Sequence, residues 1–165
     1  MLACLDVDYR DDKAVAAGVL FRDWPDGEPA RELVRIIDHI EPYVPGQFYK
    51  RELPCLLTVL ADVSEPLEAI LIDGYVWLKD EQTPGLGGHL FEALGRKVPV
   101  IGVAKTRFLT AVVARPVTRG DSDRPLYVTA AGIDADEAAR HGASMHGAFR
   151  LPTIIKRVDW LCRNS

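Results

Sequence analysis

Two short apolar stretches, Leu71-Ile72-Asp73-Gly74 and Pro99-Val100-Ile101-Gly102-Val103-Ala104-Lys105, decide the fold class that this sequence predicts. Each stretch ends abruptly at a charged residue, which is typical of a strand that is buried on both faces of an α/β sheet. Open α/β sheets carry out their chemistry at the carboxyl ends of their strands. We therefore expect the Asp73 carboxylate and the Lys105 ammonium to lie side by side at one edge of the core, where they could share a ligand.

The length and composition predict one globular domain over residues 1–165, because 165 residues can bury a sizeable core and 48% of them are apolar. No apolar run approaches the roughly 20 residues of a membrane helix. Asp6 interrupts the apolar start too early for a signal peptide. We expect a cytoplasmic protein without membrane association, and the sequence does not indicate its oligomeric state.

The cysteines and the net charge exclude several classes of protein. Cys4, Cys55 and Cys162 form no C-x-x-C pair and each lies in an apolar segment, so buried free thiols are favoured over a zinc site or a disulfide framework. A net charge of −4 argues against a broad basic face for nucleic acid. It leaves room for a metal-dependent nuclease, whose clustered carboxylates are neutralised by divalent cations.

The first half of the chain predicts a hairpin, a rigid loop and a helix. Strands are expected over Met1–Tyr9 and Ala14–Phe21, joined by a turn at Arg10–Asp12. Residues 31–40 are ambiguous, because their apolar residues have helical spacing but directly follow a hairpin. Pro42-Tyr43-Val44-Pro45-Gly46 cannot be regular structure, since two prolines remove donors, and helical spacing then places Glu52 in the first turns of a helix that extends to Leu60.

The second half alternates strands and helices. The patterns predict a buried strand over Ala69–Asp73, a long loop over Gly74–Gly88 and a helix over Leu90–Leu94. A second buried strand is expected over Val98–Ala104, followed by a hairpin from Thr110–Val117 and Leu126–Ala131. Asp134 should cap a helix that reaches about Ala148, and a short terminal segment starts at Pro152. Loops as long as Gly74–Gly88 inside compact domains are often functional.

Four acids spread along the chain are candidates for a common site: Asp6, Glu52, Asp73 and Asp159. Phosphodiester hydrolysis needs such a set, because hard oxygen ligands hold Mg²⁺ and the metal activates water. Spacing alone does not distinguish these four from solvated turn residues, and neighbouring acids such as Asp62 and Asp80 fit the pattern equally well. Lys105 could likewise be a solvated strand end, and a lone Tyr such as Tyr43 more often packs a loop onto the core.

Several motifs together resemble the endonuclease V family of deoxyinosine-directed nucleases, which have a ribonuclease H-like fold. The matching pieces are Leu5-Asp6-Val7-Asp8-Tyr9, Pro42-Tyr43-Val44-Pro45-Gly46 with Arg51-Glu52, Ile72-Asp73-Gly74, Pro99–Lys105, and Arg150-Leu151-Pro152 followed by Asp159. They occur in the family's order and near its spacing. The resemblance implies an α/β domain with a mixed central sheet, an antiparallel N-terminal hairpin and flanking helices, and it favours a third strand for residues 31–40.

The resemblance also implies roles for particular residues. Asp6 and Asp73 match metal ligands, Glu52 matches a further catalytic carboxylate, and Asp159 takes the place of a fourth ligand. Lys105 matches a lysine that positions phosphate or attacking water. A wedge that inserts beside the lesion in the family matches the loop formed by Pro42, Tyr43, Val44, Pro45 and Gly46. Gly74 is a further expected substrate contact. Mg²⁺, with Mn²⁺ as a substitute, is the implied cofactor, and DNA, with RNA as an alternative, the implied partner.

One segment departs from the family pattern and keeps a second function open. Relatives follow Asp-Gly with a His-containing loop, whereas this chain has Tyr75-Val76-Trp77-Leu78-Lys79-Asp80-Glu81-Gln82. The resemblance predicts a Mg²⁺-dependent endonuclease that hydrolyses a phosphodiester 3′ to deoxyinosine in DNA repair. The alternative is a nucleic-acid binding protein of the same fold that has lost cleavage or inosine specificity.

Overall fold

A computed structural model describes the whole chain, residues 1–165, as seven strands and four helices. The strands are β1 (Leu2–Arg10), β2 (Lys13–Phe21), β3 (Arg31–Asp38), β4 (Ala69–Asp73), β5 (Val100–Ala104), β6 (Arg115–Val117) and β7 (Leu126–Ala131), and the helices are α1 (Tyr49–Leu60), α2 (Leu86–Ala93), α3 (Ala135–Ser144) and α4 (Thr153–Asn164). The strands form one sheet in the order β3-β2-β1-β4-β5-β7-β6. The predicted ribonuclease H-like α/β fold is confirmed.

The sheet combines an antiparallel N-terminal part with a parallel centre. β1 and β2 pair in an antiparallel hairpin around a turn at Asp11-Asp12, and β2 pairs in turn with β3. At the centre, β4 runs parallel to both β1 and β5. β7 is antiparallel to β5 and to the short edge strand β6. The carboxyl ends of β1, β4 and β5 therefore meet at one edge of the sheet.

Helices cover both faces of the sheet, which explains why its central strands are continuously apolar. Along β1, Ala3 and Leu5 pack into a cluster with Leu56 of α1 and Leu90 of α2. The alternate β1 residues Leu2 and Cys4 lie in the opposite cluster with residues of α3 and α4. Since neighbouring side chains of a strand point to opposite faces, a strand between two helical layers has no polar side.

The ambiguous segment at residues 31–40 is a strand, as the resemblance favoured. Leu33 and Ile37 pack against one core cluster and Val34 packs against the other. A spacing of four residues fits both a helix and a strand, because it is also a multiple of the two-residue repeat of a strand. The free edge of β2 decides between them, since it offers backbone hydrogen bonds along the whole segment.

Several predicted boundaries were wrong. The loop after Asp73 is shorter than Gly74–Gly88, because α2 begins at Leu86 and includes Gly87 and Gly88. A Cβ at Gly87 would lie 2.6 Å from a Val76 methyl group, so these glycines allow close packing. In addition, β6 is limited to Arg115–Val117, α3 ends at Ser144, and the terminal segment is a helix of 12 residues.

Two further sequence expectations are confirmed. Cys4, Cys55 and Cys162 are buried free thiols. The side chain of Asp134 accepts a hydrogen bond from the Glu137 amide at the start of α3, as predicted for a helix cap. None of the helices is both long and apolar enough to cross a membrane.

Candidate active site

The parallel centre of the sheet brings two acids and a lysine to its carboxyl edge. The register pairs Leu5 with Ile72, so the residues that follow them, Asp6 and Asp73, occupy adjacent positions on β1 and β4. Lys105 comes directly after β5, and its Nζ lies 3.3 Å from Asp73 Oδ2. The opposite charges predicted at this edge are therefore in contact.

Glu52 enters the same region from α1. Its neighbours Cys55, Leu56 and Val59 anchor the helix on the sheet, and Glu52 itself is only 5% exposed. Burial, together with the negative charges of Asp6 and Asp73, raises the pKa of Glu52 to about 8. Its Oε2 atom is buried and has no hydrogen-bond partner. A buried carboxylate without a partner is costly, so this atom requires a proton or a cation.

Asp6 has a similar environment. Burial and the neighbouring charge of Asp73 raise the pKa of Asp6 to about 7, opposed by a 2.9 Å hydrogen bond that the Val7 amide donates to Asp6 Oδ1. Asp159 also raises the pKa of Asp6, because its negative charge is close. The charges of neighbouring carboxylates thus raise the pKa of both Asp6 and Glu52, which marks an electrostatically coupled cluster.

Asp159 reaches this cluster from α4, which packs against β1 and β2. Its Oδ1 accepts a 3.0 Å hydrogen bond from Arg163 Nε, one turn further along the helix. Asp159 lines a small cavity together with Asp6, Asp73 and Lys105. The volume of this cavity, about 10 Å³, is near the space occupied by one water molecule.

The donor set determines which ion these residues could hold. Asp6, Glu52, Asp73 and Asp159 supply only carboxylate oxygens, which suit hard cations such as Mg²⁺ and Mn²⁺. As the side chains stand, no group of three or more His, Cys, Asp or Glu residues is close enough to hold a metal ion. The partnerless Glu52 oxygen and the mutual repulsion of the acids are the features that a cation would relieve.

The loop from Pro42 to Gly46 stands at the surface between β3 and α1. All of its side chains are exposed, including Tyr43 at 57% and Val44 at 44%. The Tyr43 ring packs edge-on against Phe48, with 6.5 Å between ring centroids, rather than onto the core. Gly46 has a φ of +77°, a conformation that favours glycine.

A cleft of about 390 Å³ connects the end of this loop with Asp73. Gly46, Asp73 and Gly74 line it, so two of the predicted substrate contacts adjoin a predicted metal ligand. Pro42, Tyr43, Val44 and Pro45 do not line this cleft. The spacing of Gly74 against β5 is tight, because a Cβ at Gly102 would lie 2.5 Å from the Gly74 carbonyl oxygen.

Sequence reasoning missed the residues that form the rest of this cleft. Tyr75 and Phe108 both line it. The Tyr75 hydroxyl donates to the Thr106 carbonyl at 2.7 Å and accepts from the Phe108 amide at 2.8 Å. These bonds connect the loop after β4 with the loop after β5. No motif predicts them, although both aromatic residues stand within three positions of a predicted site residue.

The loop that departs from the family pattern is anchored to the sheet. Trp77 Nε1 donates to the Ala130 carbonyl on β7 at 2.8 Å, and the Thr129 hydroxyl accepts from the Val76 amide at 2.8 Å. Thr110 Oγ1 donates to the Leu78 carbonyl in the middle of the loop. This segment therefore has a fixed conformation of its own without a histidine.

Comparisons with known proteins agree with this geometry. The sequence model of the family Endonuclease V matches residues 1–129. Endonuclease V of Streptomyces avermitilis is 28% identical over 98% of this chain and 78% of its own length. Endonuclease V of Xanthomonas campestris pv. campestris strain 8004 is 31% identical over 98% of this chain and 76% of its own.

Solved structures give the same result for the fold. The crystal structure of the Streptomyces avermitilis protein superimposes with a TM-score of 0.83 and 29% identity, covering 98% of this chain and 79% of that one. Ciona intestinalis Endonuclease V, in complex with a 24mer DNA that contains an inosine followed by a ribo-adenosine, superimposes with a TM-score of 0.81. At 19% identity over 98% of this chain and 83% of that one, the latter likeness concerns the fold alone.

Proposed function

The chain belongs to the endonuclease V family, and on that premise we propose that it is a Mg²⁺-dependent endonuclease that hydrolyses a phosphodiester 3′ to deoxyinosine in DNA. By family analogy the cut lies one linkage beyond the deaminated base and leaves 3′-hydroxyl and 5′-phosphate ends. Mn²⁺ is a substitute metal and inosine-containing RNA a second substrate to be tested. Membership of this family supports DNA as the partner.

The observation that carries this proposal is the buried, coupled group of acids at the carboxyl edge of the sheet. Asp6 and Glu52 both have raised pKa values because they are buried and because Asp73 lies beside them. Asp6, Glu52, Asp73 and Asp159 would hold the metal. When bound, Mg²⁺ lowers the pKa of a coordinated water and neutralises charge on the phosphoryl group. An acid cluster placed at a solvated surface would not need that compensation.

Lys105 positions the phosphate in this proposal. Its ammonium contacts Asp73 Oδ2, and its side chain is 34% exposed, so it can donate to a phosphate oxygen without leaving the acid. The Lys105 carbonyl accepts a hydrogen bond from Arg150, which fixes the backbone from which the lysine extends. A fixed cation at this point is available to stabilise negative charge that develops during hydrolysis.

The loop from Pro42 to Gly46 and the adjoining cleft select the base. Enzymes that act beside a damaged base draw it out of the stack, which leaves a gap in the duplex. Tyr43 is exposed and can fill such a gap by stacking. The cleft lined by Gly46, Asp73 and Gly74 is large enough for the displaced base at about 390 Å³.

A nucleic-acid binding protein without cleavage is the second candidate, and the loop after Gly74 favours it. A hydrogen bond from Trp77 to the Ala130 carbonyl holds this loop in place, and the loop lacks the histidine that relatives carry at this point. Under this alternative, the affinity for DNA is the same in Mg²⁺ and in EDTA, the Asp73→Ala substitution leaves it unchanged, and no condition gives cleavage.

The test is cleavage of matched oligonucleotides that carry deoxyinosine, uracil, an abasic site or a mismatch, with Mg²⁺ or Mn²⁺ present. We expect selective cleavage of the deoxyinosine strand by the wild-type protein and none by Asp73→Ala. Inosine RNA is included as a parallel substrate. If both deoxyinosine DNA and inosine RNA remain intact while a family relative cleaves them, the proposed enzyme function is wrong.

A further inference from the structure

Three arginines without a carboxylate partner converge beside Lys105. Arg107, Arg124 and Arg150 line a cleft of about 320 Å³ with Lys105, and Asp123 is the one acid in its wall. Lys105 is paired with Asp73, but none of these three arginines forms an ion pair. In a chain whose net charge is −4, this concentration of positive charge marks a local site for an anion.

Within this basic cleft, formed by Lys105, Arg107, Arg124 and Arg150, the Arg150 side chain is held in place by backbone carbonyls. Arg150 Nε donates to the Arg124 carbonyl at 2.9 Å, and Arg150 Nη2 donates to the carbonyls of Lys105 and Pro125. Because these acceptors are neutral, Arg150 keeps its charge. Its Nη1 atom has no protein partner and is not buried, so two N–H groups remain for another acceptor.

Arg119 supports the segment that carries Arg150. It is only 7% exposed and donates to the carbonyls of Gly147 at 3.1 Å and Phe149 at 3.2 Å. A Cβ at Gly120 would lie 2.4 Å from the Ala148 carbonyl oxygen, so the two segments are in close contact. The part of the cleft that Arg150 forms therefore requires little rearrangement to bind an anion.

An apolar cavity continues from the basic cleft. Its volume is about 380 Å³, and Arg107 and Tyr127 line both spaces. Two large apolar side chains in its wall, Leu109 and Val112, are 80% and 77% exposed. Phe108 lines this cavity and also the cleft beside Asp73, so one aromatic ring borders both spaces.

We propose that the basic cleft and the apolar cavity together bind a nucleotide that neighbours the cleaved linkage: Arg107, Arg124 and Arg150 bind its phosphate, and the cavity beside Tyr127 binds its unstacked base. The identification of the occupant as a DNA strand depends on the proposed function. A positive groove beside aromatic side chains is the combination that binds single-stranded nucleic acid. Lys105 begins the groove, so a strand at the catalytic edge leads directly into it.

The phosphate part of this proposal is tested by the salt dependence of DNA binding. Fluorescence anisotropy of a labelled single-stranded deoxyinosine oligonucleotide, in EDTA, gives the affinity of Arg107→Gln and Arg124→Gln. Each substitution should weaken binding and lower the slope of log K against log salt concentration by roughly 0.7. Arg22→Gln is the matched control, because Arg22 is exposed, unpaired and follows β2 at the opposite edge of the sheet. Equal slopes in all three variants would overturn the proposal.

The base part is tested by removing either the ring or the base. Tyr127→Ala should weaken binding roughly tenfold without changing the salt slope. An abasic site at one position beside the inosine should weaken binding to the wild type by a similar factor, and should have little additional effect on Tyr127→Ala. Val112→Glu, at an exposed position that folding tolerates, should weaken binding as well. If an abasic site at every position lowers the affinity of the wild type and of Tyr127→Ala by the same factor, the cavity does not bind a base.

These measurements separate the subsite from the enzyme function, because binding is measured without metal. Binding that follows the predicted pattern in a protein that never cleaves DNA supports the subsite and rejects the nuclease. Deoxyinosine cleavage by a protein whose binding ignores Arg107, Arg124 and Tyr127 supports the nuclease and rejects the subsite.

Discussion

The carboxyl groups of Glu52 and Asp6 differ most from ordinary surface acids. In the unfolded chain they titrate near 4.5 and 3.8, whereas in the folded protein their pKa values rise to about 8 and about 7. Below about pH 3 both groups are largely protonated in the folded and in the unfolded state. As the pH rises, the unfolded chain releases these protons first, so folding stability without metal falls until the folded groups have also ionised.

We therefore expect metal-free protein to lose several kcal/mol of stability between pH 4.5 and pH 8.5, because Glu52 and Asp6 contribute roughly 3–4 kcal/mol each. Urea denaturation in EDTA at a series of pH values measures this loss. Glu52→Gln should flatten the curve because it removes one of the two titrating groups. Glu92→Gln, at an exposed position, should leave the curve unchanged. Identical curves for wild type and Glu52→Gln would show that Glu52 is ordinarily ionised.

Single residues also show what could be predicted from the sequence. The contact between Asp73 and Lys105 was predictable, because two apolar runs each end in a charge and parallel strands align their ends. The hydrogen bonds by which Tyr75 and Arg150 hold the loop after β5 were not predictable, because both side chains donate to backbone carbonyls. Every residue carries a carbonyl, so such partners leave no pattern in the sequence.

Among the elements, the segment between α3 and α4 depends on Arg119. Its buried guanidinium donates to four carbonyls between Met145 and Arg150. Arg119→Met should destabilise the protein by about 2–4 kcal/mol, since several buried acceptors lose their donor together. Urea unfolding measures the change, with Arg96→Met as the exposed control. A loss no larger than that of the control would mean that this segment is held by other contacts.

β5 has no room for a side chain at Gly102. A Cβ there would meet the Gly74 carbonyl at 2.5 Å and the Thr129 hydroxyl at 2.9 Å. Gly102→Ala should therefore cost about 2 kcal/mol or more and reduce DNA cleavage, because Gly74 directly follows Asp73. Gly142→Ala in α3 is the control, since its nearest neighbour would be 3.7 Å away and alanine favours a helix. Equal stability of the two variants would contradict this packing.

Elements were predictable where their pattern had one interpretation. β4 has the bounds Ala69–Asp73 that its apolar run predicts. The start of α2 was not predictable, because Gly87 and Gly88 indicate a loop unless the closeness of Val76 is known. For β3, the spacing of Leu33 and Ile37 allowed a helix, and the resemblance to a family was needed to choose the strand.

At the scale of the whole molecule, the fold gathers acids from distant parts of the chain. Asp6 comes from β1 and Asp73 from β4. Glu52 comes from α1 and Asp159 from α4. The sequence predicts that strand ends converge, but the orientation of the two helices depends on how both faces of the sheet are packed. The like charges are brought together by this packing, so a cation should stabilise the folded state.

Mg²⁺ should therefore raise the melting temperature, and more at pH 8 than at pH 5.5, where protons already neutralise Glu52 and Asp6. Thermal melts with Mg²⁺ or EDTA at both pH values measure the effect. Asp73→Asn should remove most of it. A rise of the same size in Asp73→Asn would place the bound metal elsewhere.

The most direct measurement is to map the ends that the protein produces from a deoxyinosine oligonucleotide labelled at its 5′ end. With Mg²⁺ we predict a cut at the second linkage 3′ to the inosine that leaves a 3′-hydroxyl, and no product with EDTA or with Asp73→Asn. Undiminished cleavage in EDTA or by Asp73→Asn, or no cleavage by the wild type where a family relative cuts, would contradict a metal-dependent nuclease built on Asp6, Glu52 and Asp73.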